Sequence, residues 1–270
     1  MRKETVYLSR RALVLGAALL VFGCGAFPTA AADLFDTVKS RGTLRIAVEG
    51  TYPPFNFRDP KTGQLSGYDV DVAHAVAAKL GVRADFITTE WVEILAGLGA
   101  GRYDVIVSQV SIRDKRERVF DFSRPYTVSS PQLILRKNER ARYANLDDLK
   151  GKKLGVGQGS VFEQQARAVP GIEVKSYPSA PENLQDLAFG RVDAALNDSL
   201  MVSYLLKTSR LPIKAGPLVG STDRIGIAMR KGSPQLKVAI DKALAELHAD
   251  GSLKAMSLKW FGIDASRPAP

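Results

Sequence analysis

Residues Asp104–Arg116 read DVIVSQVSIRDKR, an apolar run followed by polar and then basic residues. The apolar run, Val105–Val107, is short and β-branched, which is typical of a buried strand in a parallel sheet. Ligands of open α/β sheets bind beyond the carboxyl ends of the strands. We therefore expect a small anion to bind here, with Arg116 as its partner. The alternative interpretation is a strand followed by a solvated basic turn.

The same pattern recurs once further along the chain. Gly101–Gln109 reads GRYDVIVSQ and Gly190–Asp198 reads GRVDAALND, so each has Gly-Arg-x-Asp, three apolar residues and two polar residues. Each copy closes the same predicted order of elements: strand, loop, helix, strand, helix, strand. The recurrence predicts two similar α/β lobes. A chance match within one continuous doubly wound domain is the alternative.

Other segments complete this α/β pattern. An apolar stripe with helical spacing predicts a helix at Asp69–Leu80, and Asp69 and Asp71 suit its positive amino-terminal end. Near the end of the chain, Arg224–Met229 is predicted to form one strand. Two helices are expected to follow it.

The amino-terminal residues 1–32 are predicted to be an export signal and are excluded from the fold. Basic residues precede an apolar run, Ala12–Phe22, which is too short to span a bilayer comfortably. Three alanines at 30–32 fit a cleavage site, and Ser9–Arg11 resembles a twin-arginine signal. We favour plain cleavage over lipidation at Cys24, because Phe22 is bulky for a lipoprotein cleavage box. The protein is expected to be exported.

Composition argues against several classes of function. The formal net charge is +10, but the basic residues are scattered and form no nucleic-acid-binding module, so no nucleic-acid partner is expected. Cys24 is the only cysteine and lies in the predicted signal, which excludes a disulfide framework and a thiol catalyst. His74 and His248 fall in helical patterns, which argues against a zinc site. No metal and no cofactor are expected.

Charged and aromatic residues stand at four predicted strand ends. Glu49 and Asp198 are acids at two of them, and a third end leads to Arg116. The fourth strand end leads into the loop Gly157–Ser160. This loop precedes a helix, whose free backbone N–H groups favour an anion. Aromatic residues accompany these ends, namely Tyr52, Phe55, Trp91 and Phe162. Such a set suits a zwitterion, with its carboxylate on the Arg116 guanidinium and its ammonium on Asp198.

Each of these residues also has a purely structural interpretation. Asp198 could cap the following helix, Glu49 could be an exposed acid, and Trp91 could be a core residue. Of the arginines near Arg116, Arg113 and Arg118 are interpreted as solvated surface charges. The loop after the fourth strand end lacks both the G-x-G-x-x-G pattern and a P-loop lysine, which argues against a nucleotide site.

The chain resembles the solute-binding proteins of polar amino-acid ABC transporters, that is, bacterial extracellular solute-binding protein family 3. The resemblance covers about residues 34–264. Its motifs are EGTYPPF (Glu49–Phe55), GYDVD (Gly67–Asp71), SIRDKR (Ser111–Arg116), DFSRPY (Asp121–Tyr126), GRVDA (Gly190–Ala194), DGSL (Asp250–Leu253) and WFG (Trp260–Gly262). The first motif, together with Trp91, is similar to the cystine-binding branch.

The resemblance implies an α/β fold of the two-lobed periplasmic binding protein type II class, with a mixed sheet flanked by helices in each lobe. Lobe 1 would comprise 33–128 and 222–270, and lobe 2 would comprise 129–221. Hinges would lie near Thr127–Pro131 and Leu218–Asp223. The implied protein is a periplasmic monomer that captures a polar L-amino acid by hinge closure. It would deliver that amino acid to ABC transporter permease subunits in the inner membrane.

The resemblance also implies which residues bind the ligand. They are Glu49, Tyr52, Trp91, Gln109, Ser111, Arg116, Ser160, Val161 and Asp198. Arg116 matches the residue for the α-carboxylate and Asp198 the residue for the α-ammonium. Ser111 and the backbone around Ser160 match further polar contacts, and Tyr52 and Trp91 match aromatic walls. This chain departs from the family at Val161, where threonine is common and only the backbone N–H can now serve, and at Val92, where an acid is common.

Two other functions compete with amino-acid binding. The fold also resembles periplasmic cyclohexadienyl dehydratases, in which prephenate or arogenate would be the substrate. Such an enzyme needs an acid catalyst, and the nearby acids Glu49, Glu90, Glu93 and Asp198 form no clear acid–base pair, so no catalytic residue is predicted. The third function is the sensor module of a receptor, which is disfavoured because no signalling segment follows in the sequence.

Overall fold

The computed structural model describes residues 33–267, so the predicted export signal and Cys24 lie outside the described residues. The α-helices are α1 (Leu34–Arg41), α2 (Tyr68–Lys79), α3 (Trp91–Gly99), α4 (Asp114–Glu117), α5 (Val161–Arg167), α6 (Ala180–Ala188), α7 (Ser199–Thr208), α8 (Pro234–Ala249) and α9 (Ser252–Phe261). A 3-10 helix covers Leu146–Leu149.

The strands belong to two five-stranded sheets and two smaller ones. They are β1 (Thr43–Val48), β2 (Thr51–Tyr52), β3 (Asn56–Arg58), β4 (Leu65–Ser66), β5 (Arg83–Thr88), β6 (Val105–Ile106), β7 (Phe120–Phe122), β8 (Thr127–Ser129), β9 (Pro131–Arg136), β10 (Lys153–Gly157), β11 (Glu173–Tyr177), β12 (Ala194–Asp198), β13 (Ile213–Leu218), β14 (Asp223–Ile225) and β15 (Ala228–Arg230).

The two large sheets follow one plan, which confirms the predicted pair of similar α/β lobes. The first has the order β5-β1-β6-β15-β7, and the second has the order β11-β10-β12-β9-β13. In the first sheet β1 is parallel to β5 and β6, and β15 is antiparallel to β6 and β7. In the second, β10 is parallel to β11 and β12, and β9 is antiparallel to β12 and β13.

Both faces of β1 are covered, as its apolar sequence requires. On one face, Ile46 and Val48 share a buried cluster with Val72 of α2. On the other face, Ala47 shares a cluster with Ile94 of α3. Because helices cover both faces of such a sheet, the carboxyl ends of its strands are the place where polar side chains can converge on a ligand.

The recurring Gly-Arg-x-Asp segment has a structural function in both lobes. Gly101 and Gly190 have φ angles of 74° and 76°, a left-handed conformation that lets the chain leave a helix and enter a strand. The buried carboxylate of Asp104 accepts a hydrogen bond from the backbone N–H of Arg45 at 2.8 Å. Asp193 accepts one from the backbone N–H of Lys153, also at 2.8 Å. Each motif thus ties the start of one strand to its neighbour.

The two chain crossings between the large sheets lie side by side. One of them contains β8 and the other contains β14, and these strands pair antiparallel as a separate two-stranded sheet. They lie at or beside the segments predicted as hinges, Thr127–Pro131 and Leu218–Asp223. The exact lobe bounds at 128/129 and 221/222 stay a prediction.

Two sequence predictions are wrong in detail. The predicted single strand Arg224–Met229 is two short strands in different sheets, because the chain crosses over at Gly226. A Cβ atom there would lie 3.1 Å from the Ser123 carbonyl oxygen, so a larger residue would force the neighbouring segment to shift by a few tenths of an ångström. Arg113 is not a solvated charge, because it forms an ion pair with the buried Asp223 at the start of β14. Arg118 is exposed, as expected.

The helix predicted at Asp69–Leu80 is confirmed as α2, with a shift of one residue at each end. Asp69 and Asp71 both lie in its first turn. Within residues 33–267, no helix combines the length and the apolar character that crossing a membrane requires.

Candidate ligand-binding site

A pocket between the two lobes contains every residue that the sequence predicted for the site. Its empty volume is about 650 Å³, part of which is open to solvent. The predicted residues that line it are Glu49, Tyr52, Trp91, Gln109, Ser111, Arg116, Ser160, Val161 and Asp198. The structure thus brings together side chains from both halves of the chain, and their contact with a ligand stays a prediction.

Arg116 is a buried cation in this pocket. The short helix α4 carries it, and only 8% of its surface is exposed. Its Nη1 donates to the Ser111 carbonyl oxygen at 3.1 Å, and its Nη2 reaches the Gly159 carbonyl oxygen in the other lobe at 3.4 Å. Burial, with a contribution from nearby Arg113, lowers the pKa of Arg116 to about 10.

No carboxylate of the described residues forms an ion pair with Arg116. A guanidinium that is buried in this way favours an anion that can replace the lost water. The carboxylate of a small ligand has the size and the charge to do so.

Asp198 is the opposite charge of the pocket, and 4% of its surface is exposed. One carboxylate oxygen accepts a hydrogen bond from the Leu200 N–H at 2.8 Å, so Asp198 does cap α7. The other oxygen accepts a hydrogen bond from the Ser129 hydroxyl. Burial raises the pKa of Asp198 to about 6. A ligand ammonium beside it would favour the ionised form, so capping and ligand binding are compatible functions of one side chain.

Glu49 is a second acid in the pocket, at the carboxyl end of β1. Burial is the main reason that the pKa of Glu49 is raised to about 7, and the negative charge of Glu90 adds to this increase. A hydrogen bond from the Thr51 hydroxyl acts in the opposite direction and lowers the pKa. The Thr51 hydroxyl donates to Glu49 at 3.0 Å. A cationic group on the ligand side chain would favour ionisation of Glu49 in the same way.

Aromatic side chains form the walls of the pocket. The Tyr52 hydroxyl donates to Asn197 Oδ1 at 2.6 Å, and this bond joins one lobe to the other. Trp91 begins α3, and the guanidinium carbon of Arg116 lies 5.8 Å from the centre of its ring. Trp91 also packs on the core cluster that contains Ile94. Both interpretations of Trp91, as a core residue and as a wall of the pocket, therefore describe its position.

The second lobe contributes the start of α5. Ser160 is the N-cap residue, and its hydroxyl accepts from the Glu163 N–H at 3.1 Å and donates to the Gly157 carbonyl oxygen at 2.6 Å. Val161 follows as the first helical residue and is buried against the pocket. The first N–H groups of a helix have no partner within the helix, so the backbone of Val161 can donate to an anion.

Gln109 and Ser111 occupy the segment after β6. Gln109 is buried with a φ of 51°, and its Nε2 donates to Asp69 Oδ1 at 2.7 Å. Ser111 forms a β-bridge to Ile225, the last residue of β14, which ties this segment to a chain crossing.

Several lining residues were missed as site residues in the sequence analysis, namely Pro178, Ser179, Ala180, Asn197, Asp223 and Ile225. Asn197 could have been found from the recurring segment, since it matches Ser108 as the first polar residue after the apolar run. Asp223 gave no usable signal, because its place beside the pocket and Arg113 depends on the return of the chain through β14. Among residues 33–267, no group of three or more His, Cys, Asp or Glu side chains is arranged to hold a metal ion.

Two lobes that enclose buried charges of opposite sign define a class of ligand-binding protein. The chain belongs to the bacterial extracellular solute-binding proteins, family 3, whose sequence profile matches residues 44–263. The resemblance proposed from the sequence motifs is thereby confirmed.

Individual relatives agree with this assignment. The chain is 41% identical over 266 residues to the L-cystine-binding protein TcyJ of Escherichia coli K12. The aligned region covers 98% of this chain and 100% of the relative. It is 36% identical over 236 residues to the L-cystine-binding protein TcyA of Bacillus subtilis, covering 87% of each. Among solved structures, it resembles the ancestral amino acid-binding protein AncCDT-1, a precursor of cyclohexadienyl dehydratase. The TM-score is 0.79 at 30% identity, over 85% of this chain and 100% of that one.

Proposed function

We propose that this protein captures a polar L-amino acid outside the cytoplasm and delivers it to an ABC importer. The observation that carries the proposal is the pair of buried opposite charges in one pocket, Arg116 and Asp198. The carboxylate of an amino acid would lie on the guanidinium, and its ammonium would lie on Asp198. Neutral or singly charged ligands would leave one of the two charges buried without a partner, which is costly.

The same arrangement suggests how the ligand closes the protein. The Tyr52–Asn197 hydrogen bond and the contact of Arg116 with Gly159 both join the two lobes across the pocket. An amino acid that contacts both lobes would stabilise this closed form relative to an open one, by its difference in affinity for the two. The crossings β8 and β14 are where we place the hinges, with lobe 1 at 33–128 and 222–270 and lobe 2 at 129–221.

Cystine is the leading candidate for the ligand. Two of the relatives described above are named as cystine-binding proteins. A cystine molecule carries a second ammonium and a second carboxylate at its far end. Asp223 is paired with Arg113, so we assign that second ammonium to Glu49, which forms no ion pair among the described residues. The proposed location is the periplasm, and the proposed partner is the permease of the importer. The proposed oligomeric state is a monomer.

Dehydratase activity is the second candidate function. It is favoured by one observation, the pKa of about 7 at Glu49, which suits a general acid near neutral pH. The relatives named as binding proteins favour the first candidate. Release of phenylpyruvate from prephenate, or of phenylalanine from arogenate, by the purified protein would make this candidate the better one.

A thermal-shift screen tests the proposed function. Purified protein is heated with each L-amino acid, including cystine, arginine, glutamine and the dicarboxylic acids. A ligand at 100 times its Kd should add about 2.7 kcal/mol to the free energy of unfolding. N-acetylated amino acids are the matched control, because they keep the carboxylate and lose the ammonium. No shift with any amino acid would overturn the proposal.

A further inference from the structure

A serine on one of the chain crossings, Ser129, contacts the acid of the proposed charge pair. Ser129 is the last residue of β8 and is buried. Its hydroxyl donates to one carboxylate oxygen of Asp198, and the Leu200 N–H donates to the other at 2.8 Å. Ser129 is the one side-chain donor to Asp198 among the described residues, and no cation among them forms an ion pair with this carboxylate. Hydrogen bonds therefore stabilise its negative charge in the ligand-free protein.

The backbone around Ser129 is fixed on two sides. In the two-stranded sheet of the crossings, Ser129 pairs with Asp223 of β14. The next two residues hold the start of α7, because the Ser130 carbonyl oxygen accepts from the Ser199 N–H at 3.0 Å and Pro131 pairs with Asp198. A short side chain on a backbone held in this way loses little freedom when it donates a hydrogen bond. The hydroxyl of Ser129 is thus a well-placed donor to Asp198.

Glu49 offers a comparison, because it is also an acid of the pocket that accepts from a hydroxyl. Its donor is Thr51, at 3.0 Å, and Thr51 is exposed, whereas only 7% of Ser129 is exposed. Water competes for an exposed donor, and a hydrogen bond to a charged group is stronger where water is excluded. Loss of the Ser129 hydroxyl should therefore affect Asp198 more than loss of the Thr51 hydroxyl affects Glu49.

We propose that Ser129 is a positioning residue of the binding site, which acts through Asp198 by holding its carboxylate ionised for the ligand ammonium. A donated hydrogen bond favours the charged form of an acid over the neutral form. Each carboxylate oxygen can accept two hydrogen bonds, so the oxygen bonded to Ser129 can still accept from a ligand. This inference rests on the proposed function, since it needs an ammonium group beside Asp198.

The ionisation of Asp198 is the property that this bond controls. Burial raises the pKa of Asp198 to about 6, and the hydrogen bonds from Ser129 and from the backbone of α7 act in the opposite direction. Removal of the hydroxyl should raise this pKa further, so that the carboxylate becomes protonated at a higher pH. The other titratable and charged groups around Asp198 are Glu49, Tyr52, Asp69, Arg116 and Asp223, the last paired with Arg113. None of them is bonded to the Ser129 hydroxyl.

The pH dependence of binding tests the proposal. The Kd of the amino acid is measured by calorimetry between pH 5 and pH 8 for the wild type and for Ser129→Ala. Loss of one hydrogen bond to a charged group should move the midpoint of the profile from about pH 6 to about pH 7. The ratio of the two Kd values, variant over wild type, should then be about eightfold larger at pH 5 than at pH 8.

An Asp198→Asn background shows whether Ser129 acts through the charge of Asp198. The asparagine side chain cannot ionise, so Ser129→Ala should change the Kd by less than about twofold in this background, at pH 5 as at pH 8. An effect of Ser129→Ala that is as large with asparagine as with aspartate would overturn the inference, because Ser129 would then act independently of Asp198.

Two comparisons separate the hydrogen bond from packing. Ser129→Thr and Ser129→Val have nearly the same shape and differ in the hydroxyl. Ser129→Thr should keep the wild-type pH profile, and Ser129→Val should reproduce that of Ser129→Ala; equal profiles for the two would assign the effect to packing and contradict the inference. Ser130→Ala is the matched control, since this neighbouring hydroxyl contacts Thr222 at 3.2 Å and should leave the profile unchanged.

A readout without ligand distinguishes this inference from the proposed function. A carbon-13 NMR titration of the Asp198 carboxyl group should show the same rise in midpoint for ligand-free Ser129→Ala. Equal midpoints in the variant and the wild type would overturn the inference whether or not amino acids bind. Should the wild type bind no amino acid, the proposed function falls and takes this inference with it. Should it bind with a Kd ratio that is constant from pH 5 to pH 8, only the inference falls.

Discussion

Replacement of Arg116 by lysine tests the proposed carboxylate contact while it keeps the positive charge. In the structure the guanidinium donates to carbonyl oxygens of both lobes, those of Ser111 and Gly159. Its planar fork can hold these contacts and still present N–H groups in parallel to a carboxylate. A lysine ammonium is a single point and cannot do both.

The expected loss follows from the number of bonds. Arg116→Lys should remove at least one charged hydrogen bond to the ligand, worth about 1.5–3 kcal/mol when desolvated. This corresponds to a Kd about 10- to 150-fold weaker. Solvent screens exposed ion pairs and makes them weak. Only 8% of Arg116 is exposed, so we do not lower the expected loss of binding free energy for such screening.

The assay is a calorimetric titration with the amino acid that the thermal-shift screen identifies. Arg118→Lys is the control, since it makes the same change at an exposed arginine two residues away and should leave the Kd unchanged. Circular dichroism and the melting temperature of the ligand-free protein verify that each variant folds. A folded Arg116→Lys protein with the wild-type Kd would refute the assignment of Arg116 to the ligand carboxylate.

Three further predictions concern the other charges of the pocket and its closure. Asp198→Asn should keep the cap on α7, because an asparagine side chain also accepts from the Leu200 N–H, but should weaken amino-acid binding by at least about tenfold; unchanged affinity would leave Asp198 as a cap only. The Kd should also depend on pH. The ligand ammonium needs ionised Asp198, whose pKa in the free protein is about 6, so affinity should be full above that pH and lost below it. From this group alone, binding at pH 5 should be about tenfold weaker than at pH 8, more if Glu49 contributes, and a flat profile would contradict the assignment. Tyr52→Phe removes the bond to Asn197 that joins the lobes, so the ligand should dissociate about two- to tenfold faster in a stopped-flow measurement; an unchanged rate would show that this bond does not stabilise the closed form.

The sequence was most informative where local patterns and topology act together. An apolar run that ends in polar residues marks the carboxyl end of a strand, and these ends meet at one edge of a sheet. Glu49, Arg116 and Asp198 are far apart in the chain, yet this rule placed them in one pocket, where the structure has them. The pattern of Gly101–Gln109 recurs at Gly190–Asp198. It predicted a second lobe, because each copy closes the same order of strands and helices.

The contacts that sequence reasoning missed depend on the path of the chain through the crossings. Arg113 was interpreted as a solvated charge because its neighbours in sequence are polar, but β14 returns to place Asp223 beside it. Asp69 fitted the positive end of α2, and nothing local showed that Tyr126 and Gln109 would converge on its carboxylate. Such buried networks arise from tertiary packing between distant segments and leave no periodic signal in the sequence.

A calorimetric comparison of L-cystine with N,N′-diacetyl-L-cystine tests the central claim most directly, because acetylation turns both ammonium groups into neutral acetamides and leaves both carboxylates and the disulfide unchanged. We predict a Kd near micromolar for cystine, about −8 kcal/mol, and a loss of binding by at least about tenfold for the acetylated compound. If the thermal-shift screen favours a different amino acid, the same comparison is made with it and its N-acetyl derivative. Equal affinity for the free and the acetylated ligand, or no binding of either, would contradict a site built for a zwitterionic amino acid between Arg116 and Asp198.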